Sequence, residues 1–312
     1  MAQRDPRRRG REWERLSRGI KVRRQPAGLA YELAKLHAWQ PMLPASGAFS
    51  GLTAARVHGL WLPPLPLGLP VFASVGTVRG EYLPVRDELQ ISQHRSTPDR
   101  IQIDGLPITS VPETLLECAR WLGLIDVVAA VDSALRAGLI DEPAARAIAR
   151  RRRGAPMLRR ALDHADSRSE SPWETWLRLL HVFGGVDVTP QVNLYNARGR
   201  HIARADLLID GTRTLHEYDG SHHREPGAHR KDLLRDRDLL EAHYVRRGFV
   251  ATDVVSGWVR ILEEAYASKG MVMPSSALRA WPTLLAESCL TLEGREALLK
   301  RVRLVTTQLR VA

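Results

Sequence analysis

Three carboxylates stand close together in the second half of this sequence, at a spacing that could support chemistry. Asp206 interrupts the apolar run Ala205–Ile209, and Glu217 and Asp219 follow at the end of the next predicted strand. Alternate residues of a β-strand face the same side, so we expect Glu217 and Asp219 to point in one direction. The turn at Asp210–Gly211 should set the two strands side by side and bring Asp206 towards that pair.

Carboxylates crowded at strand ends repel one another, and a divalent cation removes that repulsion. Mg²⁺ is commonly bound by carboxylates together with water, and Mn²⁺ accepts the same oxygen donors. A cation held by Asp206, Glu217 and Asp219 would polarise a phosphodiester oxygen and lower the pKa of a bound water. The alternative interpretation is that these acids pair with arginines such as Arg204 or Arg235.

The elements that would position these acids follow in a regular order. Ser171-Pro172-Trp173-Glu174 has the form of a helix start, with a capping serine, a proline in the first turn and an acid after it. The predicted strands are Val186–Leu194, His201–Ile209, Thr212–Tyr218 and Tyr244–Val250, and the later helices are 229–242 and Val254–Ser268. This order of helix, three-stranded meander, helix, strand and helix predicts an α/β core with mixed strand directions.

The first half of the chain predicts a small α+β domain. Residues 1–25 are expected to form a loose basic arm, and a helix is expected at 27–39 with Leu29, Leu33 and Leu36 on one face. Further predicted elements are a helix after Ser50 that stops before Pro63, strands at Val71–Val75, Leu89–His94 and Ile101–Ile103, and helices at Pro112–Trp121 and Ile125–Ala137.

The expected domain organisation has five parts. These are a basic arm and short helix at 1–45, an α+β domain at 46–140, a basic helical connector at 141–167, the α/β domain at 168–265 and a helical extension at 266–312.

The chain is strongly basic. Its 312 residues contain 46 Lys and Arg against 35 Asp and Glu, which gives a net charge of +11. Such an excess favours a polyanionic partner, with nucleic acid as the first candidate. The run Arg150, Arg151, Arg152 and Arg153, expected on a helix, fits either phosphate contacts or a solvated face. The alternative for the whole chain is an arginine-rich proteome in which arginine replaces lysine.

Cysteine usage and hydropathy bear on the compartment. Cys118 and Cys289 stand far apart, so we expect neither a disulfide framework nor a zinc cluster, and a reducing cytoplasm fits. The first residues lack the apolar stretch of a secretory signal, and no window is apolar for long enough to span a membrane. We therefore expect a cytoplasmic protein without a membrane partner.

The motifs of the α/β domain resemble the very-short-patch-repair (Vsr-like) endonuclease domain of the PD-(D/E)XK superfamily. They are Ser-Pro-Trp-Glu174, Ala-Arg-Ala-Asp206, Glu217-Tyr-Asp219-Gly220, His223 and Asp232-Leu-Leu-Arg235-Asp236, and they lie between about residues 168 and 262. The resemblance implies a restriction-endonuclease-like core in which Asp206 is the central metal ligand and Glu217 and Asp219 complete the site. It also implies that Glu174 is the helix acid beside the metal and that Arg235 bridges to the acids or to a phosphate.

One departure from the superfamily pattern concerns the group that activates water. The pattern places lysine two residues after its glutamate, and Asp219 stands there in this sequence. His223 is the first candidate for the proton acceptor, because a neutral imidazole accepts a proton near neutral pH. Lys231, on the next predicted helix, is the second candidate, whereas His222 and His229 are compatible with surface positions without a role.

The N-terminal half resembles the AbiEi-type antitoxin proteins. The matching segments are Leu52-Thr-Ala-Ala-Arg-Val-His-Gly59-Leu-Trp61, Asp104-Gly105-Leu-Pro-Ile-Thr109 and Glu113-Thr-Leu-Leu-Glu117. In that family a winged helix that binds DNA usually comes first, and only a remnant is visible here around residues 26–40. Thr53, His58, Thr109 and Glu113 are expected to serve packing and capping, because they form no convergent polar cluster in the sequence.

Together these patterns lead to two functional hypotheses. The first is a Mg²⁺- or Mn²⁺-dependent DNA endonuclease that hydrolyses phosphodiester bonds in repair or in defence against foreign DNA. The second is a non-catalytic DNA-binding or antitoxin-like regulator that uses the nuclease fold as a scaffold. DNA is the expected partner of both, together with a toxin–antitoxin or repair protein.

Overall fold

The computed structural model describes residues 12–78, 83–150, 152–220 and 228–311 of this chain, with the backbone alone at 228–233 and 304–311. The described strands are β1 Trp13–Ser17, β2 Ile20–Arg23, β3 Ala48–Phe49, β4 Val71–Gly76, β5 Leu89–His94, β6 Arg100–Ile103, β7 Leu106–Thr109, β8 Val188–Tyr195, β9 His201–Ile209, β10 Thr214–Tyr218 and β11 Val245–Phe249. The described helices are α1 Leu29–Trp39, α2 Gly51–Val57, α3 Val111–Cys118, α4 Leu124–Arg136, α5 Glu142–Ile148, α6 Ala155–Asp163, α7 Pro172–Phe183, α8 Ala228–Glu241, α9 Ala251–Val255, α10 Trp258–Ser268, α11 Ala280–Glu287 and α12 Leu292–Val311.

The chain folds as mixed α/β structure in two compact units. Unit 1 contains the chain up to Leu122, Ile140–Arg159 and the chain from Glu296 onwards, and unit 2 contains Gly123–Leu139 and Arg160–Arg295. Both the expected connector at 141–167 and the expected extension at 266–312 are therefore divided between the two units.

Unit 1 is built on a five-stranded sheet with the strand order β5-β4-β3-β7-β6. β3 pairs antiparallel with β4 and parallel with β7, so the sheet is mixed. The short central strand β3 and the strand β7 were not anticipated from the sequence. Their residues Phe49, Leu106 and Ile108 are fully buried in the core of this unit, together with Trp39 of α1. α2 ends at Val57, earlier than the predicted stop before Pro63.

The expectation of a loose arm over residues 1–25 is wrong for the described part of that segment. Trp13–Ser17 and Ile20–Arg23 form an antiparallel hairpin, with Gly19 in the turn at a φ of 80°. Ile20 and Val22 alternate with charged residues and are buried, which is the pattern of a strand with one face on the core. The many arginines around these two apolar residues hide that alternation. Residues 1–11 lie outside the described part of the chain.

Two further expectations for unit 1 need correction. Leu29 is exposed, whereas Leu36 is buried and Leu33 packs partly buried against the same core, and Tyr31 and Trp39 complete the buried side of α1. The arginine run at 150–153 was placed on a helix, but it lies between α5 and α6, and residue 151 is outside the described part. Gly154 follows this run at a φ of 85°, directly before α6 begins at Ala155.

Unit 2 contains the predicted sequence of helix, three-stranded meander, helix, strand and helices. Its four-stranded sheet has the order β11-β10-β9-β8, in which β8, β9 and β10 are antiparallel and β11 runs parallel to β10. Leu194, Ala203, Ala205, Leu215 and Leu239 form an apolar cluster of sheet and α8 residues. The α/β class and the element order are thus present.

α7 begins as its sequence predicts and is held against the sheet by buried side chains. The Ser171 hydroxyl accepts a hydrogen bond from the backbone N–H of Glu174 at 3.2 Å, so it caps the helix. Trp176, Leu177 and Leu180 are buried on one side of the helix. His181, further along, contacts His216 of β10 with 2.9 Å between Nε2 and Nδ1.

Two whole-chain properties complete the description. Cys118 and Cys289 are both buried, and neither forms a disulfide. Within the described residues, no helix combines the length and the apolar character that crossing a membrane requires.

Candidate functional site

Asp206 lies on β9, close to the point where β10 ends. The backbone N–H of Tyr218 donates a hydrogen bond of 2.9 Å to its carboxylate. Among the described residues Asp206 forms no ion pair. Burial first, and then the negative charge of Glu174, raises the pKa of Asp206 to about 7, and Glu217 adds to the increase. Asp206 therefore sits in a negative environment that its own hydrogen bond offsets only in part.

Glu174 approaches the same place from the first turn of α7. Its side chain is 9% exposed, and one carboxylate oxygen accepts hydrogen bonds from the backbone N–H of Glu170 at 2.7 Å and from Nε2 of Gln191 at 2.8 Å. The helix N-terminus favours a negative charge at this position. Glu174 is therefore an oriented, ionisable group next to Asp206.

Gln191 has a backbone conformation that non-glycine residues rarely adopt. Its φ is 54°, in the left-handed region, although it lies within β8. The neighbouring residues Pro190 and Val192 keep regular pairing with Leu207 and Ala205 of β9. The strained conformation is confined to the residue that holds Glu174, which is the kind of position where functional sites store strain.

Glu217 is buried at 3% exposure and is bound by two arginines. Arg235 of α8 donates to one carboxylate oxygen, and Nε of Arg246 on β11 donates to the other at 2.5 Å. Arg246 also donates from Nη2 to Asp219 at 2.8 Å, so Glu217 and Asp219 lie within reach of one guanidinium. Arg235 additionally bonds the backbone oxygen of Arg204 at 3.2 Å.

The predicted metal set of Asp206, Glu217 and Asp219 is not gathered as one group. Within the described part of the chain, no three His, Cys, Asp or Glu side chains come together in a way that could hold a metal ion. Guanidinium groups neutralise the negative charge of Glu217 and Asp219 instead, because a guanidinium supplies both hydrogen-bond donors and a positive charge. The alternative interpretation of the sequence is that these acids pair with arginines such as Arg204 or Arg235. Arg235 does bind Glu217, whereas Arg204 pairs with Glu170.

Gly248 on β11 makes room for the Asp219 side chain. It pairs with Glu217 across the parallel strands, and a Cβ at this position would lie 1.8 Å from Oδ2 of Asp219. The absence of a side chain is therefore what allows Asp219 to approach the strand that carries Arg246.

An aromatic pair lies beside Glu174 and Asp206, the two acids of this site that form no ion pair with an arginine among the described residues. The rings of Trp173 and Tyr218 stack with centroids 5.3 Å apart and an interplanar angle of 7°. Trp173 precedes Glu174 in α7, and the backbone of Tyr218 binds Asp206. The stack thus joins α7, which bears Glu174, to β10, whose backbone at Tyr218 binds Asp206.

Several predicted site residues lie elsewhere or outside the description. His223 falls outside the described residues, as do the side chains of Lys231 and Asp232. Arg151 is also outside the description. Arg150, Arg152 and Arg153 belong to unit 1, and Arg152 is bound to Glu113 by bonds of 2.6 and 2.7 Å.

Glu113 does not have the simple packing role expected for it. It lies in a polar cluster of unit 1 in which Arg152 also approaches His94 and Arg120 binds Glu117 at 2.7 Å. Thr53, His58 and Thr109 do serve local structure. Thr53 accepts from the backbone of Phe72, and His58 lies 2.8 Å from the carbonyl oxygen of Thr109.

Three residues of the acidic site were not identified from the sequence. Arg246 and Gly248 lie in the segment Val245–Phe249, where two arginines and a glycine interrupt a strand, and a glycine in a strand signals close approach of another group. Gln191 carries no comparable signal, because its role depends on a local φ that the sequence does not display.

Comparison with known proteins adds no assignment. No family model, no curated protein and no solved structure matches this chain. Function therefore has to be inferred from the residues of the site.

Proposed function

We propose that unit 2 is a metal-dependent DNA endonuclease with a restriction-endonuclease-like core, and that Asp206 and Glu174 are its principal metal ligands. The observation that carries the proposal is the environment of Asp206, a largely buried carboxylate beside two other carboxylates, with its pKa raised to about 7. Strongly perturbed acids of this kind concentrate at functional sites. The resemblance to Vsr-like nucleases also implies that Asp206 is the central metal ligand and that Glu174 is the helix acid beside the metal.

The carboxylates of Asp206 and Glu174 are better suited to bind a divalent cation than the expected set of Asp206, Glu217 and Asp219. Both residues supply hard oxygen atoms, and Asp206 has no cationic partner among the described residues. Both oxygens of Glu217 already accept from Arg235 and Arg246. Glu217 and Asp219 are therefore proposed to act by holding arginines beside the metal ligands, with Asp219 free to contribute through its second oxygen.

The chain's own residues would orient the reacting groups. The Tyr218 amide fixes the Asp206 carboxylate, and Gln191 fixes that of Glu174. Arg235, 31% exposed and anchored by Glu217, is placed to bind a DNA phosphate next to these acids. A bound Mg²⁺ or Mn²⁺ would polarise the phosphodiester and lower the pKa of a water molecule.

The proton acceptor is proposed from the residues that follow Asp219. His223 remains the first candidate and Lys231 the second, since the superfamily lysine position is occupied by Asp219. An imidazole that is neutral near pH 7 can take the proton of a water molecule, whereas a lysine needs a lowered pKa to do so.

A second function is favoured by the arginine pairs themselves. Arg235 and Arg246 neutralise Glu217 and Asp219 without a metal, which suits a scaffold that binds DNA but does not cut it. The resemblance of unit 1 to AbiEi-type antitoxins points the same way, towards a regulator with a toxin–antitoxin partner. Repair or defence is the corresponding setting for the nuclease.

Nicking of supercoiled plasmid DNA separates the two functions. With Mg²⁺ or Mn²⁺ the wild-type protein should convert the plasmid to open circles, and Asp206→Asn and Glu174→Gln should each lower the rate by about 100-fold or more. Asp238→Asn, which removes an acid paired with Arg200 on the surface of the same unit, is the matched control and should cut normally. DNA retardation without metal-dependent nicking by the wild type would instead support the regulator.

A further inference from the structure

Unit 1 contains an open pocket lined by arginines, separate from the acids of unit 2. Its volume is about 850 Å³, and its wall includes Arg120, Arg152, Arg153 and Arg159 together with the start of α6 at Gly154–Pro156. Among the described residues that line it, none is acidic. This volume falls in the range of small-molecule sites, which commonly measure about 300–1,000 Å³.

Two of the arginines are held in place from behind by buried acids. Glu113 binds Arg152 through both oxygens, and Glu117 binds Arg120 at 2.7 Å. The two glutamates are 5% and 1% exposed. Ser92 accepts a further bond of 2.7 Å from Arg120. The guanidinium groups are therefore pre-oriented, which lowers the entropic cost of binding a ligand.

The other two arginines bring charge that no acid offsets. Within the described part of the chain, Arg153 forms no ion pair or side-chain hydrogen bond, and Arg159 bonds only the carbonyl oxygen of Ala149, at 2.7 Å. With Glu113 and Glu117 balancing Arg152 and Arg120, two positive charges remain in excess at the pocket. An anion with two or more negative charges complements that excess.

The close packing of the chain at this point depends on Gly154. Its φ is 85°, and a Cβ there would lie 2.4 Å from the carbonyl oxygen of Leu116. This glycine brings the α6 N-terminus against the segment that carries Arg120, so both line the same pocket.

We propose that this pocket binds the phosphate chain of a small phosphorylated ligand, either a nucleotide or free polyphosphate. The partial burial of the Arg120 and Arg152 side chains, at 13% and 30% exposure, suits a compact anion that enters the pocket better than a duplex backbone that stays outside it. The proposal is independent of the nuclease function, since no residue of the pocket belongs to unit 2.

The test is calorimetric titration of the full-length protein with inorganic tripolyphosphate and with ATP, in EDTA and about 150 mM salt. EDTA excludes ligand bridging through a divalent metal. The informative variant is Arg153→Gln/Arg159→Gln, which removes the two uncompensated charges without exposing a buried acid. Its matched control is Arg18→Gln/Arg23→Gln, which removes the same charge from exposed positions of the same unit.

The wild type and the control should bind tripolyphosphate, and the Arg153/Arg159 variant should bind it at least about 10-fold more weakly. Tighter binding of ATP than of tripolyphosphate would identify a nucleotide site, and equal binding would identify a polyphosphate site. Equal weakening in both double variants would overturn the proposal, because general charge would then explain the binding. The proposal would also be overturned if neither small anion bound and a short DNA duplex bound in a way that depends on Arg153 and Arg159. A complete absence of binding would overturn it as well.

Discussion

At the scale of the residue, Asp206 combines burial with two negative neighbours. Its folded-state pKa of about 7 lies well above the value of about 3.9 expected in an unfolded chain. Between these two pH values the folded protein holds a proton that the unfolded chain releases. The contribution of Asp206 to the free energy of unfolding therefore falls as pH rises through this window and is least favourable above it.

Replacing Asp206 by asparagine should consequently stabilise the protein at high pH. At pH 8 we expect Asp206→Asn to raise the free energy of unfolding by roughly 1–3 kcal/mol, because the charged form is no longer buried beside Glu174. Near pH 4 the variant and the wild type should differ little. Urea unfolding at both pH values measures this, and a variant that is less stable at pH 8 would contradict the assigned environment of Asp206.

At the scale of the element, α7 and β10 meet through two buried histidines. Nδ1 of His181 lies 2.8 Å from the carbonyl oxygen of Leu177, to which it can only donate. The other nitrogen of a neutral His181 then accepts from Nδ1 of His216. Protonation of Nε2 of His181 would remove the acceptor from the bond between the rings. Nε2 of His216 is buried without a hydrogen-bond partner among the described residues, so protonation there would bury a charged and unsatisfied N–H.

Acid should destabilise the folded protein through these two buried histidines. Burial lowers the pKa of His181 to about 4, and burial together with His181 and Arg247 lowers the pKa of His216 further. The unfolded chain takes up protons below about pH 6.5, whereas the folded chain resists them down to these lowered values, so the free energy of unfolding should fall across that window. The expected loss is up to about 1.4 kcal/mol per pH unit for each histidine.

The paired replacement His181→Leu/His216→Leu tests this assignment. It removes both members of the hydrogen bond and leaves no orphaned partner between them, so it should flatten the pH dependence of the urea midpoint between pH 7 and pH 5. His37→Gln, at an exposed ion pair with Asp104, is the control and should leave the slope unchanged. A slope retained in the double variant would assign the acid sensitivity to other groups.

Substitution of Gly248 tests how much the contact between Asp219 and Arg246 contributes to stability. Gly248→Ala should displace the Asp219 side chain from Arg246 and destabilise the protein by about 1 kcal/mol, since the ion pair is half-exposed. In an Asp219→Ala background the clash disappears, and the same substitution should cost less. A double-mutant cycle by urea unfolding measures the difference, and purely additive effects would show that Gly248 has another role.

The elements of unit 2 could be predicted because their local signals agree with one another. Ser171 and Pro172 mark the start of α7, and alternation in His201–Ile209 marks β9 with its observed bounds. The hairpin at Trp13–Arg23 and the strand β3 could not be predicted in the same way. In the hairpin only a few apolar residues stand among many charged ones. The strand β3 has two residues, too few to show the alternation of a strand.

The acidic site was predictable in its acids but not in their partners. Asp206 stands out in the apolar run Ala205–Ile209 and Glu217 lies near the end of the next strand, whereas Arg246 reaches Glu217 only because β11 lies parallel beside β10. That pairing connects segments far apart in the chain. The ion pairs of Glu217 and Asp219 with Arg246 depend on it, and sequence spacing alone carries no information about it.

At the scale of the whole molecule, the net charge of +11 governs association with polyanions. If DNA is bound mainly through phosphate contacts, each neutralised phosphate releases counterions, and the logarithm of affinity should fall linearly with the logarithm of salt concentration. We expect a loss of about 10-fold or more between about 50 and 200 mM salt in a fluorescence anisotropy titration. A flat response would favour proteome composition as the origin of the charge.

The central claim is that Asp206 and Glu174 bind a divalent cation, and calorimetric titration with Mn²⁺ tests it most directly. The wild type should bind Mn²⁺ more tightly as pH rises from 6 to 8, with release of a proton near pH 7, because the Asp206 carboxyl must ionise first. Asp206→Asn and Glu174→Gln should lose most of the affinity, and Asp238→Asn should keep it. Equal Mn²⁺ affinity in the wild type and in Asp206→Asn, without proton release, would contradict the assignment.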